Sequence, residues 1–211
     1  MSKTITRIFD NYGDATNAVR DLENLGIKHD DLSIVANNAD KAHGDHVDQD
    51  IDDVNDHGDV SRGASTGAAL GGVGGLLAGL GLLAIPGLGP IVAAGWLAST
   101  AAGAGIGALG GAATGSIVGA LKNAGHTDEE ANVYSEGVRR GGSLVSAKVP
   151  DNLVSEAEAV LQRNKSVDAQ TRGAAYRQDG WTTFDDKAPA YTPDQVERER
   201  QLYANTQTPL V

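Results

Sequence analysis

The stretch GLLAGLGLLAIPGLGPIVAAGWLA, from Gly75 to Ala98, decides how this chain is read. It lies inside a longer run, bounded by Arg62 and Lys122, that holds no charged side chain. Pro86, Gly87, Gly89 and Pro90 form a strong turn signal within it. On one side of that turn small residues recur every four positions, at Gly63, Gly67, Gly71, Gly75 and Gly79. On the other side they recur at Gly95, Ser99, Gly103, Gly107, Gly111, Gly115 and Gly119. A four-residue period keeps such positions on one ridge of a helix and lets two backbones approach closely. A glycine inside a helix costs about 1 kcal/mol relative to alanine, so repeated glycines imply compensation by close helix contact or by lipid. We therefore expect residues 63–122 to form a glycine-zipper helical hairpin that turns at 86–90.

Two solvents suit such a hairpin. Thr66 to Ile85 is long enough to cross a hydrocarbon core of ~30 Å, and Ile91 to Leu109 is similar. The bulky residues Leu76, Leu77, Leu80, Leu82, Leu83, Ile85, Leu88, Ile91, Val92, Trp96 and Leu97 cluster around the turn, so the tip is the part suited to lipid. Glycine and alanine add little transfer energy, and the same tracks could instead pack protein to protein in a soluble assembly.

On either side of the run the pattern changes. TITRIFD reads as a strand, Asn11 to Asp14 as turn and helix cap, and Ala15, Ala18, Val19, Leu22 and Leu25 as one helical stripe ended by Gly26. DLSIVAN reads as a second strand. Downstream, Val145, Ala147 and Val149 share a strand face, and Leu153, Ala157, Val160 and Leu161 share a helix face behind a cap at Asp151. SVDAQT, with Val167 and Ala169, is a weaker fourth strand. Two β-α-β halves predict an α+β fold, a ferredoxin-like sandwich interrupted by the hairpin. Residues 1–38 and 123–172 supply its halves, 39–62 an acidic flexible linker, and 173–211 a tail. TDEEANVYSEGVRRG reads as a connecting helix with a Thr127/Glu130 capping box and a stop at Gly141. In the tail, Thr192, Pro193 and Gln195 open a short terminal helix.

Composition narrows the chemistry. Net charge is −11 and no Lys/Arg cluster interrupts it, which argues against nucleic acid and against docking on anionic lipid by charge. There is no cysteine, so disulfides and thiolate chemistry are excluded. The N-terminus turns polar at once and does not read as a secretory signal, which predicts the cytoplasm or the cytoplasmic face of the cell membrane. Asp48, Asp50, Asp52 and Asp59 have EF-hand-like spacing, but Asp53 stands where the loop needs glycine. His43, His46 and His57 have no enforced geometry, so we expect no metal and no cofactor. No P-loop and no hydroxyl–His–carboxylate triad is legible, and the reading is non-enzymatic. Tyr134 reads as a structural phenol, or as the wall of a shallow ligand cleft. Trp181, Phe184 and Tyr191, three aromatics in a polar tail, should dock on the domain or on a neighbouring copy.

ITRIFDNYGDATNAVRDLENLGIKHDDLSIV and ANVYSEGVRRGGSLVSAKV together resemble bacterial general-stress proteins of the YflT/17M type. The resemblance covers about residues 3–40 and 63–172, through Glu129, Glu130, Tyr134, Gly137, Gly142, Leu144 and Val145. It implies stress-induced expression and membrane association, and it supplies no catalytic residues. The expectation is a stress-associated protein that self-associates through the hairpin, at or in the membrane. Alternatives are a soluble homo-oligomer with the hairpins as shared core, or a small-ligand-sensing α/β domain with a pocket near Tyr134; a small-molecule ligand is the less favoured partner.

Overall fold

The computed structural model describes residues 2–40, 81–85, 87–100 and 117–204. Strand β1 (Ser2–Phe9) leads into α1 (Tyr12–Asn24) and β2 (Leu32–Asn37). A hairpin of β3 (Gly81–Ile85) and β4 (Gly89–Gly95) follows. Then come α2 (Ile117–Asn123), α3 (Asp128–Arg139), β5 (Ser143–Pro150), α4 (Val154–Arg163), α5 (Ala169–Gln178) and α6 (Pro193–Ala204). The fold is α+β. Its five strands lie in the order β1-β5-β2-β4-β3, and every neighbouring pair is antiparallel.

Both faces of the sheet are covered. On one, α1 and α4 bury Ala15, Val19, Leu22, Ala157 and Leu161 against Ile5, Ile34, Val145 and Val149. On the other, Leu121, Val133, Tyr134, Val138 and Tyr176 pack over Ile8, Val35, Ile91 and Leu144. Local chemistry sets the helix ends. The Asn11 side chain accepts the Gly13 amide at 2.7 Å, and Gly26 follows α1 at φ +98°. At α3 the Thr127 hydroxyl accepts the Glu130 amide at 3.2 Å, while the Glu130 carboxylate accepts the Thr127 amide at 2.9 Å. Thr192 and Gln195 make the same reciprocal pair at α6.

Three expectations are corrected. The turn near 86–90 exists, but it joins strands rather than helices: Leu82 pairs with Val92 and Leu83 with Ile91. Ile85, Ile91 and Val92 are β-branched and pack well on a pleated surface, and Gly87 and Gly89 take the positive φ, +77° and +80°, that such a turn needs. Second, Asp151 opens a short 3-10 turn and α4 starts only at Val154. Third, the weak fourth strand shrinks to one antiparallel bridge between Ile8 and Val167. Ala169 is not available to extend it, because Asp168 caps α5 through the Thr171 amide at 2.8 Å and Ala169 begins that helix.

Candidate functional site

A cleft of about 550 Å³ runs along the outer edge of β1. Its floor is residues Lys3 to Arg7. One wall is His126 with Glu130 and Tyr134 of α3, the other is Glu158 of α4, and Asp168 to Gln170 close one end. The cleft therefore sits between the two helical layers, where a further strand would lie.

Its inner wall is a polar chain. The Tyr134 hydroxyl donates to the Thr6 carbonyl at 2.7 Å, and Arg7 Nη1 donates to the same oxygen at 2.9 Å. Thr6 Oγ1 lies 2.7 Å from His126 Nε2 and 2.9 Å from Ser146 Oγ. A neutral ring protonated on Nδ1, which faces Glu130 at 3.7 Å, accepts the Thr6 hydroxyl on Nε2, and Thr6 then accepts from Ser146. Burial pushes the His126 imidazolium below its usual pKa, against the opposing pull of Glu130. Burial also pushes the Tyr134 phenol up to about 12. Burial pushes Glu130 up, but its two Thr127 hydrogen bonds and His126 outweigh this and hold it below the ordinary range. The hydroxyls of Thr6 and Ser146 are fully buried, so the array braces β1 against β5 and α3 and offers no exposed nucleophile.

The glycines of the motif around Tyr134 have steric reasons. A Cβ on Gly137 would stand 2.7 Å from Ile8 Cδ1, so its absence lets α3 lie against β1. The Gly142 amide returns to the Gly137 carbonyl at 2.9 Å, and a Cβ at Gly142 would stand 2.8 Å from that oxygen. Asn37 closes the same corner, its side-chain amide donating to the Val138 carbonyl at 3.0 Å.

The tail aromatics dock on their own chain. Trp181 and Phe184 pack on the core under α3 and α5, and Trp181 meets Tyr176 edge-on at 5.8 Å. Tyr191 lies under Arg139 at 4.9 Å. Helix α6 then clamps the domain: Val196 is fully buried, Arg200 Nε donates to the Gly141 carbonyl at 2.9 Å, and Arg140 reaches Glu199 at 3.2 Å. Arg172, 4% exposed, makes both of its contacts to the Asp10 carboxylate at 2.7 Å and stacks on Tyr203. No spacing in the sequence announces Arg172, in α5, or Val196, in the tail; the capping box at Thr192 is the one local signal for α6.

Of the zipper positions, Gly63, Gly67, Gly71, Gly75, Gly79, Gly103, Gly107, Gly111 and Gly115 lie outside the described residues, as does Pro86. So do residues 41–62 of the acidic linker, with Asp48, Asp50, Asp52, Asp53, Asp59, His43, His46 and His57, and Leu76, Leu77 and Leu80. Gly119 is in α2, and Ser99 is in the helical turn at 96–100, donating to the Trp96 carbonyl at 3.0 Å. Gly95 ends β4 at φ +86°, where a Cβ would stand 2.8 Å from Ser33 Cα and collide with the Leu32 carbonyl, so it serves strand packing and not a helix interface. Pro90 is in β4, and its carbonyl accepts the Asn38 amide at 2.9 Å. Leu88, Ile91, Val92 and Leu97, expected at a lipid-facing tip, are core residues, and Trp96 donates its indole N–H to the Asp31 carbonyl at 3.2 Å. Among the described residues no helix is long and apolar enough to cross a membrane, and no three His, Asp or Glu side chains converge as metal ligands.

Among the described residues the large apolar side chains left exposed are Leu82 and Leu202, and Leu82 lies on the edge of the sheet. Strand β3 is the last of the sheet, and among the described residues no strand lies beyond it. The Leu88 amide donates to the Ile85 carbonyl at 3.0 Å, so Ile85 turns its polar groups into the hairpin. Alternation then points the peptide groups of Leu82 and Ala84 outward. Leu82 is 50% exposed.

No family model matches the chain, and neither curated proteins nor solved structures give a significant match to it.

Proposed function

We propose that this chain is a non-enzymatic, self-associating protein in which a second copy pairs along β3. The observation that carries the reading is the β3 edge: GLLAI has no charge, no proline, outward peptide groups at Leu82 and Ala84, and an exposed leucine. Such an edge is a template for strand pairing unless something blunts it. The opposite edge of the sheet differs in kind, since β1 carries Lys3 and Arg7. Two copies therefore meet like edge to like edge, antiparallel about a two-fold axis, which closes a dimer instead of propagating a fibre.

Protein-to-protein association is favoured over lipid by the burial of Leu88, Ile91, Val92 and Leu97 inside the domain. A role in stress rests on the resemblance to general-stress proteins. The buried placement of the Thr6 and Ser146 hydroxyls supports the non-enzymatic reading. A ferredoxin-like core is supported by the order Val167–β1–β5–β2, with α1 and α4 on one face; in that reading the β3-β4 hairpin is an addition at the β2 edge.

The test is detergent-free fractionation of native lysate, a carbonate wash of the membranes, and sizing of each fraction. Wild type is expected in the soluble fraction as a dimer, with Leu82→Lys shifted to a folded monomer. A soluble monomer, or retention in washed membranes, overturns the proposal.

A further inference from the structure

We infer which residues the partner copy supplies: the two β3 strands pair about a two-fold axis through Leu83, so that Leu82 of each copy lies opposite the partner's Ala84. This rests on the self-association proposed above and goes beyond it by fixing the register.

The orientation of β3 is set from two sides. The Pro90 carbonyl accepts the Asn38 amide at 2.9 Å, so Pro90 turns toward β2. Alternation turns its neighbours Gly89 and Ile91 toward β3, where they pair with Ile85 and Leu83. The turn bond from the Leu88 amide to the Ile85 carbonyl agrees, because it also directs Ile85 into the hairpin. Leu82 and Ala84 are therefore the residues whose peptide groups point away from β4, and Leu83 offers none on that side.

Bonded antiparallel pairs form only between residues that both point outward, so a slip of one residue breaks the ladder. Axes through Leu82, Leu83 or Ala84 meet this condition, and an axis between two residues does not. Centring on Leu83 sets the whole of Gly81–Ile85 against its copy. Leu82 and Ala84 then exchange their outward bonds across the interface, about four hydrogen bonds in all. Centring on either neighbour leaves one end of β3 beyond the overlap.

Side chains favour the same register. Leu83 is half-buried against the cluster that holds Ile85, Leu88 and Ile91. At the axis it meets the partner's Leu83 on that same face, which joins the two cores. On the other face Leu82, 50% exposed, lies beside the partner's exposed Ala84. A two-fold axis also brings each side chain near its own copy, where a charge would repel itself, and GLLAI carries none.

Single thiols test the register, since the chain has no cysteine of its own. Leu83→Cys stands at a non-bonded pair with Cα atoms about 4.5 Å apart, inside the range a disulfide spans. Leu82→Cys and Ala84→Cys each lie diagonal to their own copy, at about 7–8 Å, beyond that range. Mild oxidation of the full chain should close Leu83→Cys at least about tenfold faster than either of the others alone. An equimolar mixture of Leu82→Cys and Ala84→Cys chains should close as the mixed dimer, which reads the register even if Leu83→Cys disturbs the contact. Sizing of the wild type and of each reduced variant separates two kinds of failure. A monomeric wild-type chain overturns the self-association and the register with it. A dimer in which Leu82→Cys or Ala84→Cys closes with its own copy faster than Leu83→Cys overturns the register alone, as does a dimer in which neither Leu83→Cys nor the mixture closes.

Discussion

Replacing Gly95 by alanine separates the strand reading of the central stretch from the zipper reading. Gly95 sits at φ +86°, and an added Cβ would press on the Leu32 carbonyl and stand 2.8 Å from Ser33 Cα. Both obstacles are backbone of β2, which is hydrogen-bonded to β4 on one side and β5 on the other, so neither can swing aside as a flexible side chain would. The left-handed backbone alone costs an L-residue about 1–2 kcal/mol. Forcing β4 away from β2 adds an overpacking cost of about 1–3 kcal/mol. The total, about 2–5 kcal/mol, is a large part of the ~5–15 kcal/mol that holds a domain together. Gly26→Ala is the internal control: it has the same sign of φ, +98°, with nothing within 4 Å of the new methyl. Urea unfolding at constant m-value reads both variants. Gly95→Ala should lose at least about 1 kcal/mol more than Gly26→Ala, the lower end of the overpacking cost. In a helix the same change would gain up to about 1 kcal/mol of propensity. Equal losses, or a stabilised Gly95→Ala, would refute the placement of Gly95 against β2.

Two further outcomes follow from the buried polar groups. His126 is held below its usual pKa by burial, with Arg7 acting in the same direction and Glu130 opposing. The unfolded chain therefore takes up the proton first: this contribution to stability is complete above about pH 6.5 and is lost as pH falls through the interval below it, at no more than about 1.4 kcal/mol per pH unit. Unfolding free energies at pH 7.5 and 5.5 should differ less in His126→Gln than in wild type, and an equal difference would show that His126 is not the group responsible. Arg172→Met removes the two charge-assisted hydrogen bonds to Asp10, whose side chain is only 13% exposed, and the stacking on Tyr203. A loss of about 3 kcal/mol is expected by thermal or urea unfolding, at the lower end of the range for breaking a buried pair. Asp10→Asn, which keeps a hydrogen-bond acceptor, should cost less; the reverse order would contradict the burial argument.

The helices were legible where their ends carry local chemistry. Asn11, Thr127 and Thr192 do what capping residues do, and the stripes Ala15–Leu22 and Ala157–Leu161 face the sheet. The central stretch was not legible because both faces of the sheet are covered there. IVAA in β4 is buried on either side, so it lacks the alternation that marks a half-exposed strand, and its glycine neighbours match a helical period. The β-branched residues at Ile85, Ile91 and Val92 were the signal that pointed the other way. Val167 sits where a fourth strand was expected, but Asp168 competes as a helix cap and wins by satisfying the Thr171 amide. The cleft depends on partners 120 and 128 residues apart, His126 and Tyr134 against Thr6. No spacing rule joins them; the β1–β5 register and the close approach at Gly137 do.

The central claim is that β3 is an interface between copies. Amide hydrogen exchange of Leu82 and Ala84, measured on the full chain across a dilution series without detergent, tests it most directly. Pairing across β3 predicts slow exchange at both amides at high protein concentration, fast exchange on dilution, and fast exchange at all concentrations in Leu82→Lys. Fast exchange at high concentration in the wild-type chain, or protection that does not change on dilution, would contradict it.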